Sequence, residues 1–200
     1  MNVNKFFLPL LAMTFFLLSC DKDDDTPLLS GDVKDFKYVN ATSYTGWTYF
    51  SFEKGDTIQV QDPENDLSWD IAFHRYDIKL NGGKSGAGKG EACNTHSTDW
   101  NAIIQAPKSG YQKDELGMIN SSWTEKVEAP FSQVLAAWIT SDTSNPPPVY
   151  TYHDWIFVIK SASGKYVKLY IYDYMNEKNT GAYISFKYQY NESGSDSFEE

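Results

Sequence analysis

Residues 69–90 read WDIAFHRYDIKLNGGKSGAGKG, and the spacing of apolar residues in this stretch decides the fold class. Trp69, Ile71 and Phe73 alternate with Asp70, Ala72 and His74, the period of two expected of a strand with one face in a core. From Tyr76 onward the parity changes: Tyr76, Ile78 and Leu80 are even-numbered where the earlier set is odd. The strand is therefore expected to bulge or bend near His74 and Arg75, so that both halves face one core. Asn81, Gly82 and Gly83 follow, then glycine at 86, 88 and 90, a run free to adopt positive φ or to lie close against other backbone.

Upstream, residues 46–53 alternate Thr48, Phe50 and Phe52 with Trp47, Tyr49 and Ser51. Lys54-Gly55-Asp56 then turns the chain, and residues 57–61 return with Ile58 and Val60 inward, which predicts a hairpin. Residues 33–40 are a first strand, and Asp62-Pro63-Glu64-Asn65-Asp66 is a breaker-rich loop. Downstream, Thr98-Asp99-Trp100 opens a short helical turn with Trp100, Ile103 and Ile104 on one face, ended by Pro107. Residues 133–139 are apolar enough for a strand, and Asn145-Pro146-Pro147-Pro148 is an extended loop. The last third predicts an antiparallel meander. The uninterrupted apolar run 155–159 is its central strand, followed by Val167, Leu169 and Ile171 and then Ile184, Phe186 and Tyr188, each set alternating with polar or tyrosine residues. Almost no helix is expected.

The chain has 200 residues, enough for one domain. Residues 1–19 read as a lipoprotein signal peptide: Lys5 is the positive start, residues 6–18 are an apolar run too short to span a bilayer, and Leu17-Leu18-Ser19-Cys20 is a lipobox. Cys20 is then the lipidated first residue, and Cys93 is left without a disulfide partner. The polar, acidic residues 20–32 form a tether. Residues 33–190 form the β domain, and residues 191–200 are an acidic tail expected to fray.

The formal net charge is −10, and loss of residues 1–19 removes only Lys5, leaving 16 basic against 27 acidic residues. Such a surface disfavours nucleic acid and anionic headgroups. Arg75 is the only arginine, so a multi-arginine phosphate site cannot be built. Aromatic residues make up 16%, with 14 tyrosines, which suits both sheet faces and a pocket for a flat apolar ligand.

Residues 83–90 nearly spell a phosphate-binding loop, but Gly90 stands where a magnesium-holding hydroxyl is needed and no helix follows. No serine or cysteine lies in a nucleophile elbow, and His74 reads better as a hydrogen-bonded core histidine than as a base. His96 and His153 lack a second histidine at zinc spacing. Nothing here predicts an enzyme.

The stretch WDIAFHRYDIK, followed by NGGKSGAGKGEA, resembles the signature block of the HmuY family, haem-binding lipoproteins of Bacteroidetes. GWTYFSFEKGDTI before it, and WIFVIKSASGKYVKLYIYDY and GAYISFKYQY after it, extend the resemblance over most of the mature chain. The resemblance implies an all-β, antiparallel protein of the HmuY type with a ligand cleft built from hairpins. Its acidic run after Cys20 resembles the signal that sends such lipoproteins to the outer face of the outer membrane. The implied role is non-catalytic capture of haem or a related porphyrin for a TonB-dependent outer-membrane transporter. Haem requires an apolar slot, one or two soft or imidazole ligands, and cations or solvent for its propionates. Relatives place paired histidines or methionines on two loops that here correspond to residues within 111–153. The first hairpin, read as residues 119–131, leaves Met118 at its edge, and His153 lies just past the second loop, residues 141–148. Met118 and His153 are the candidate iron ligands, though each also reads as a core filler and a strand-end polar residue respectively. Trp123 and Trp138 are the expected aromatic walls. The alternative is a surface module on the same scaffold that has lost metal chemistry and binds protein or glycan.

Overall fold

The computed structural model describes Met1 and residues 31–199; the rest of the expected signal peptide, Cys20 and most of the expected tether lie outside the described residues. The described residues form thirteen strands and two 3-10 turns. One sheet of five strands runs in the order β1 (Val33–Asn40), β13 (Gly181–Tyr190), β12 (Tyr166–Met175), β11 (Ile156–Lys160) and β6 (Glu91–Asn94). A second sheet of four runs β3 (Asp56–Ile58), β2 (Thr48–Ser51), β4 (Ile71–His74) and β5 (Asp77–Leu80). Two further hairpins, β7 (Glu115–Asn120) with β8 (Lys126–Phe131) and β9 (Ile139–Asp142) with β10 (Val149–Tyr152), complete the molecule. Every pairing is antiparallel, so the chain is the all-β protein expected.

The parity change has a sharper cause than a bend. Ile71 pairs with Leu80, Phe73 with Ile78, and His74 with Asp77, so the chain reverses fully through a two-residue turn at Arg75 and Tyr76. Cross-strand partners share a face, and the reversal carries the inward set from odd to even positions. Those inward residues meet the larger sheet. Phe73 stacks on Phe186 with ring centroids 5.4 Å apart, Phe50 meets Phe186 edge-on at 5.2 Å, and Phe52 lies 5.1 Å from Tyr188. The core is this seam between two sheets.

Asp70 ties the sheets together. Its carboxylate accepts from Phe52 N at 2.8 Å and from Ala162 N at 2.9 Å, the second donor lying just beyond β11. The glycine run packs around Asn81: a Cβ on Gly88 or Gly90 would collide with the Asn81 backbone oxygen, and Asn81 Nδ2 donates to Asp66 O and Trp69 O at 2.8 Å each. These glycines serve close packing, not phosphate.

Three local expectations differ. Residues 133–139 do not form a strand: Leu135–Trp138 is a 3-10 turn, and the strand begins only at Ile139. Leu135 N donates to Ser132 Oγ at 3.3 Å ahead of it, and Leu135 and Trp138 are buried at the i, i+3 spacing of such a turn. The ligand-loop hairpin is longer than residues 119–131, beginning at Glu115, which places Met118 within a strand. The last residues do not simply fray: Asn191 and Phe198 anchor the segment between them. Asn191 is fully buried and donates through Nδ2 to Ser195 O and Ser197 O, while Phe198 packs with Ala106 and Val158. Among the described residues no helix is long and apolar enough to cross a membrane.

Candidate functional site

A cleft of about 530 Å³ opens where the Arg75–Tyr76 turn, the tip of the β7–β8 hairpin and the β9–β10 loop converge. That volume lies in the range of small-molecule sites. Tyr44, Tyr76, Tyr150 and Tyr174 wall it together with Trp123, Pro146 and Pro148; Asn120, Ser122, Thr124, Ser141 and Thr143 add neutral polar groups, and Arg75 and Lys126 add two cations. No aspartate or glutamate lines it. On a chain with 27 acidic residues, the local inversion of sign is the main chemical fact about this cleft.

Each part is held by its local sequence. Arg75 sits at φ 53°, in the left-handed region that turns of this kind usually give to glycine or asparagine. Its N–H donates to Ala41 O at 2.8 Å, Nη1 donates to Thr42 O at 3.2 Å, and the guanidinium carbon lies 4.5 Å from the centre of the Tyr44 ring. The hairpin tip is closed by Ser121 N donating to Glu125 O at 3.0 Å and Glu125 N donating to Ser122 Oγ at 3.0 Å, which leaves Trp123 projecting, 65% exposed.

Tyr174 forms the floor. Tyr170 and Tyr172 alternate outward with Ile171 inward, as expected, but register shifts after Ile171 and again after Asp173 bring Tyr174 to the core side. Tyr174 is buried, its ring 4.8 Å from that of Tyr150. The Tyr150 hydroxyl lies close enough to act on it electrostatically, yet the Tyr174 hydroxyl completes no hydrogen bond of ordinary geometry. Burial pushes both phenols above their usual range, and the positive charge of Arg75 partly opposes this in each.

Of the four residues expected in the site, Trp123 alone lines the cleft. Met118 pairs with Glu128 two steps along the ladder from Asn120 and Lys126. It therefore shares their face of the hairpin, about 7 Å further along the strand, and is 54% exposed. His153 is half-buried past the end of β10: its N–H donates to Trp138 O at 3.0 Å and its Nε2 lies 3.2 Å from Thr140 Oγ1. Trp138 is buried one layer behind the floor, 6.3 Å from the Tyr174 ring, and donates through Nε1 to Tyr76 O at 3.0 Å. It thus supports the turn that carries Arg75. Among the described residues, no three His, Cys, Asp or Glu side chains gather closely enough to hold a metal ion. His74 is a core residue, 3.5 Å from Asp77 through Nδ1 but without hydrogen-bond geometry.

Sequence reasoning missed Tyr44, Tyr76, Tyr150, Tyr174 and Lys126, and assigned Arg75 no role. The one available signal was Arg75 itself, a lone arginine at the parity change.

Comparison with known proteins places this arrangement. No curated protein matches the chain. Among solved structures, a protein of Bacteroides vulgatus described as HmuY-like and heme-binding is 25% identical, with a TM-score of 0.64 over 78% of this chain and 90% of its own. The apo form of an HmuY analog from Tannerella forsythia is 25% identical, with a TM-score of 0.62 over 81% of this chain and 98% of its own. A Bacteroides fragilis protein described as a lipoprotein is 25% identical, with a TM-score of 0.62 over 82% and 90%. The family model described as HmuY protein matches residues 43–188, which include the β4–β5 turn, both flanking hairpins and the floor of the cleft, and the chain therefore belongs to the HmuY family.

Proposed function

We propose that this protein is a lipid-anchored surface lipoprotein of the outer membrane that binds haem or a related porphyrin in the cleft, without catalysis, for uptake through a TonB-dependent transporter. One observation carries the reading: aromatic walls combine with Arg75 and Lys126, and no lining carboxylate opposes them, on a strongly acidic chain. A flat apolar ring with acidic side chains matches that chemistry, the ring against tyrosine and tryptophan faces and the acids toward the cations. The related Bacteroides vulgatus protein is itself described as heme-binding, and the anchor rests on the lipobox at Cys20.

Titration of the purified protein with ferric and ferrous haem, followed by visible absorption, tests the reading. A saturable one-to-one change is expected. Trp123→Ala should weaken it about tenfold, a loss typical of removing one large aromatic contact. A spectrum that remains that of free haem at every ratio would refute haem binding. A second reading, an interaction module without metal chemistry, draws on the placement of Met118 and His153 outside the cleft lining. It predicts that unchanged spectrum.

A further inference from the structure

The cleft fits the periphery of a porphyrin better than its metal. Its lining contains no histidine, methionine or cysteine, the usual side-chain ligands of haem iron. The oxygen donors it does contain include Tyr150 and Tyr174, whose burial favours the neutral phenol over the phenolate that iron would require. Arg75, in contrast, is prepared for a carboxylate. It is the only arginine of the chain, it takes part in no ion pair among the described residues, and one hydrogen bond to Thr42 O engages one of its five N–H donors. The turn and the Tyr44 ring fix its position, although left-handed backbone is unfavourable for a side-chain-bearing residue. A half-buried arginine without an acid partner among the described residues, in a chain with so many acids, leaves a site for an acid from outside.

On the basis of the porphyrin reading above, we infer that the ligand is gripped by its carboxylates through Arg75, with Lys126 assisting, so that recognition does not depend on the metal and extends to metal-free porphyrin acids. Arg75 supplies the rigid, forked contact that positions the acid edge. Lys126, exposed on the hairpin, supplies charge. The tyrosines and Trp123 cover the ring faces.

The test uses the purified protein and quenching of tryptophan fluorescence by three probes: ferric protoporphyrin IX, metal-free protoporphyrin IX and the dimethyl ester of the metal-free ring. The two acids are expected to bind within about threefold of each other, and the ester at least about tenfold more weakly, the loss expected when a charge-assisted contact disappears. Arg75→Gln should weaken both acids about tenfold and leave the ester unchanged. Lys126→Gln should do the same to a smaller extent, and lies on an exposed strand, so the inference stays testable if the Arg75 variant fails to fold by circular dichroism. If the ferric form binds about a hundredfold more tightly than the metal-free acid, iron ligation governs, and this inference fails while porphyrin binding stands. Equal affinity for acid and ester also overturns it. If no probe binds, both this inference and the porphyrin reading fail.

Discussion

The guanidinium of Arg75 lies 4.5 Å from the centre of the Tyr44 ring, and the backbone on either side of that contact is locked by Arg75 N donating to Ala41 O at 2.8 Å. The pair joins the loop after β1 to the turn between β4 and β5. Tyr44 is therefore both a wall of the cleft and the ring against which the arginine rests.

Replacing Tyr44 by alanine removes a cation–π contact of about 0.5–1 kcal/mol and a face of the cleft. Porphyrin affinity is expected to fall about threefold to tenfold, while the urea midpoint moves little because Tyr44 is only half-buried. Equal affinity in the variant, measured by fluorescence titration, would show that the ring does not position Arg75.

Asp70 carries a different load. It is 7% exposed and accepts from two backbone donors that belong to opposite sheets. Burial pushes its carboxyl above the usual range despite those two donors. Asp70→Ala leaves both N–H groups buried without partners and is expected to cost about 3 kcal/mol in urea unfolding. A loss under about 1 kcal/mol would mean that other contacts hold the sheets in register.

Two buried groups set opposite slopes of stability against pH. Asp114 is fully buried, accepts from Leu80 N and Ser85 Oγ at 2.7 Å each through Oδ2, and has no partner at Oδ1. Burial raises its pKa from 3.8 to about 7. The folded state thus binds a proton that the unfolded state has released, so this stabilising contribution is complete below the unfolded value and disappears as pH rises through about 7. Lys79 is boxed by the rings of Trp47, Tyr49 and Trp69, and burial lowers its pKa from 10.5 to about 8. There the unfolded state binds the extra proton, and stability recovers between those two values. Urea titrations should find a minimum near neutral to weakly basic pH. Asp114→Asn should flatten the acid limb alone, and an unaltered acid limb would assign it to another group.

Met118 and His153 are the ligand candidates that the family resemblance implies. Since neither lines the cleft, Met118→Ala and His153→Ala are each expected to leave the absorption spectrum of bound ferric porphyrin unchanged. A shifted Soret band in either variant would place that side chain on the iron, and would require the hairpin or the end of β10 to move toward the cleft.

The strands were legible where apolar and polar or tyrosine residues alternate, as in 48–52, 69–73 and 166–190, or where an apolar run is unbroken, as in 156–159. Residues 69–74 alternate in character although both of their faces are buried, so the half-buried strand expected there is a fully covered one. The pattern was misread where two structures share one signature. A change of parity accompanies a bulge, a bend or a two-residue reversal alike, and only the pairing of Phe73 with Ile78 distinguishes them. The apolar run at 133–139 satisfies a strand, yet residues 135–138 form a 3-10 turn whose first N–H bonds the Ser132 hydroxyl. Phe198 is buried although its neighbours are polar and acidic, because its partners Ala106 and Val158 are distant in sequence.

The site divides along the same line. Sequence alone determined the antiparallel class, the family resemblance, the acidic balance and the presence of a single arginine, since these depend on residue identity and on spacing within one strand. It also singled out Trp123, which lies on a hairpin tip where local chain geometry projects it. Only the tertiary structure decided that Tyr44, Arg75, Lys126, Tyr150 and Tyr174 face one space, and that Met118, His153 and Trp138 stand beside or behind it. Those positions span 131 residues of chain from 44 to 174, and what joins them is strand register. Two shifts in the pairing of β12 with β13 turn Tyr174 inward, and a one-residue slip of that kind reverses every side chain after it without leaving a mark on composition or period.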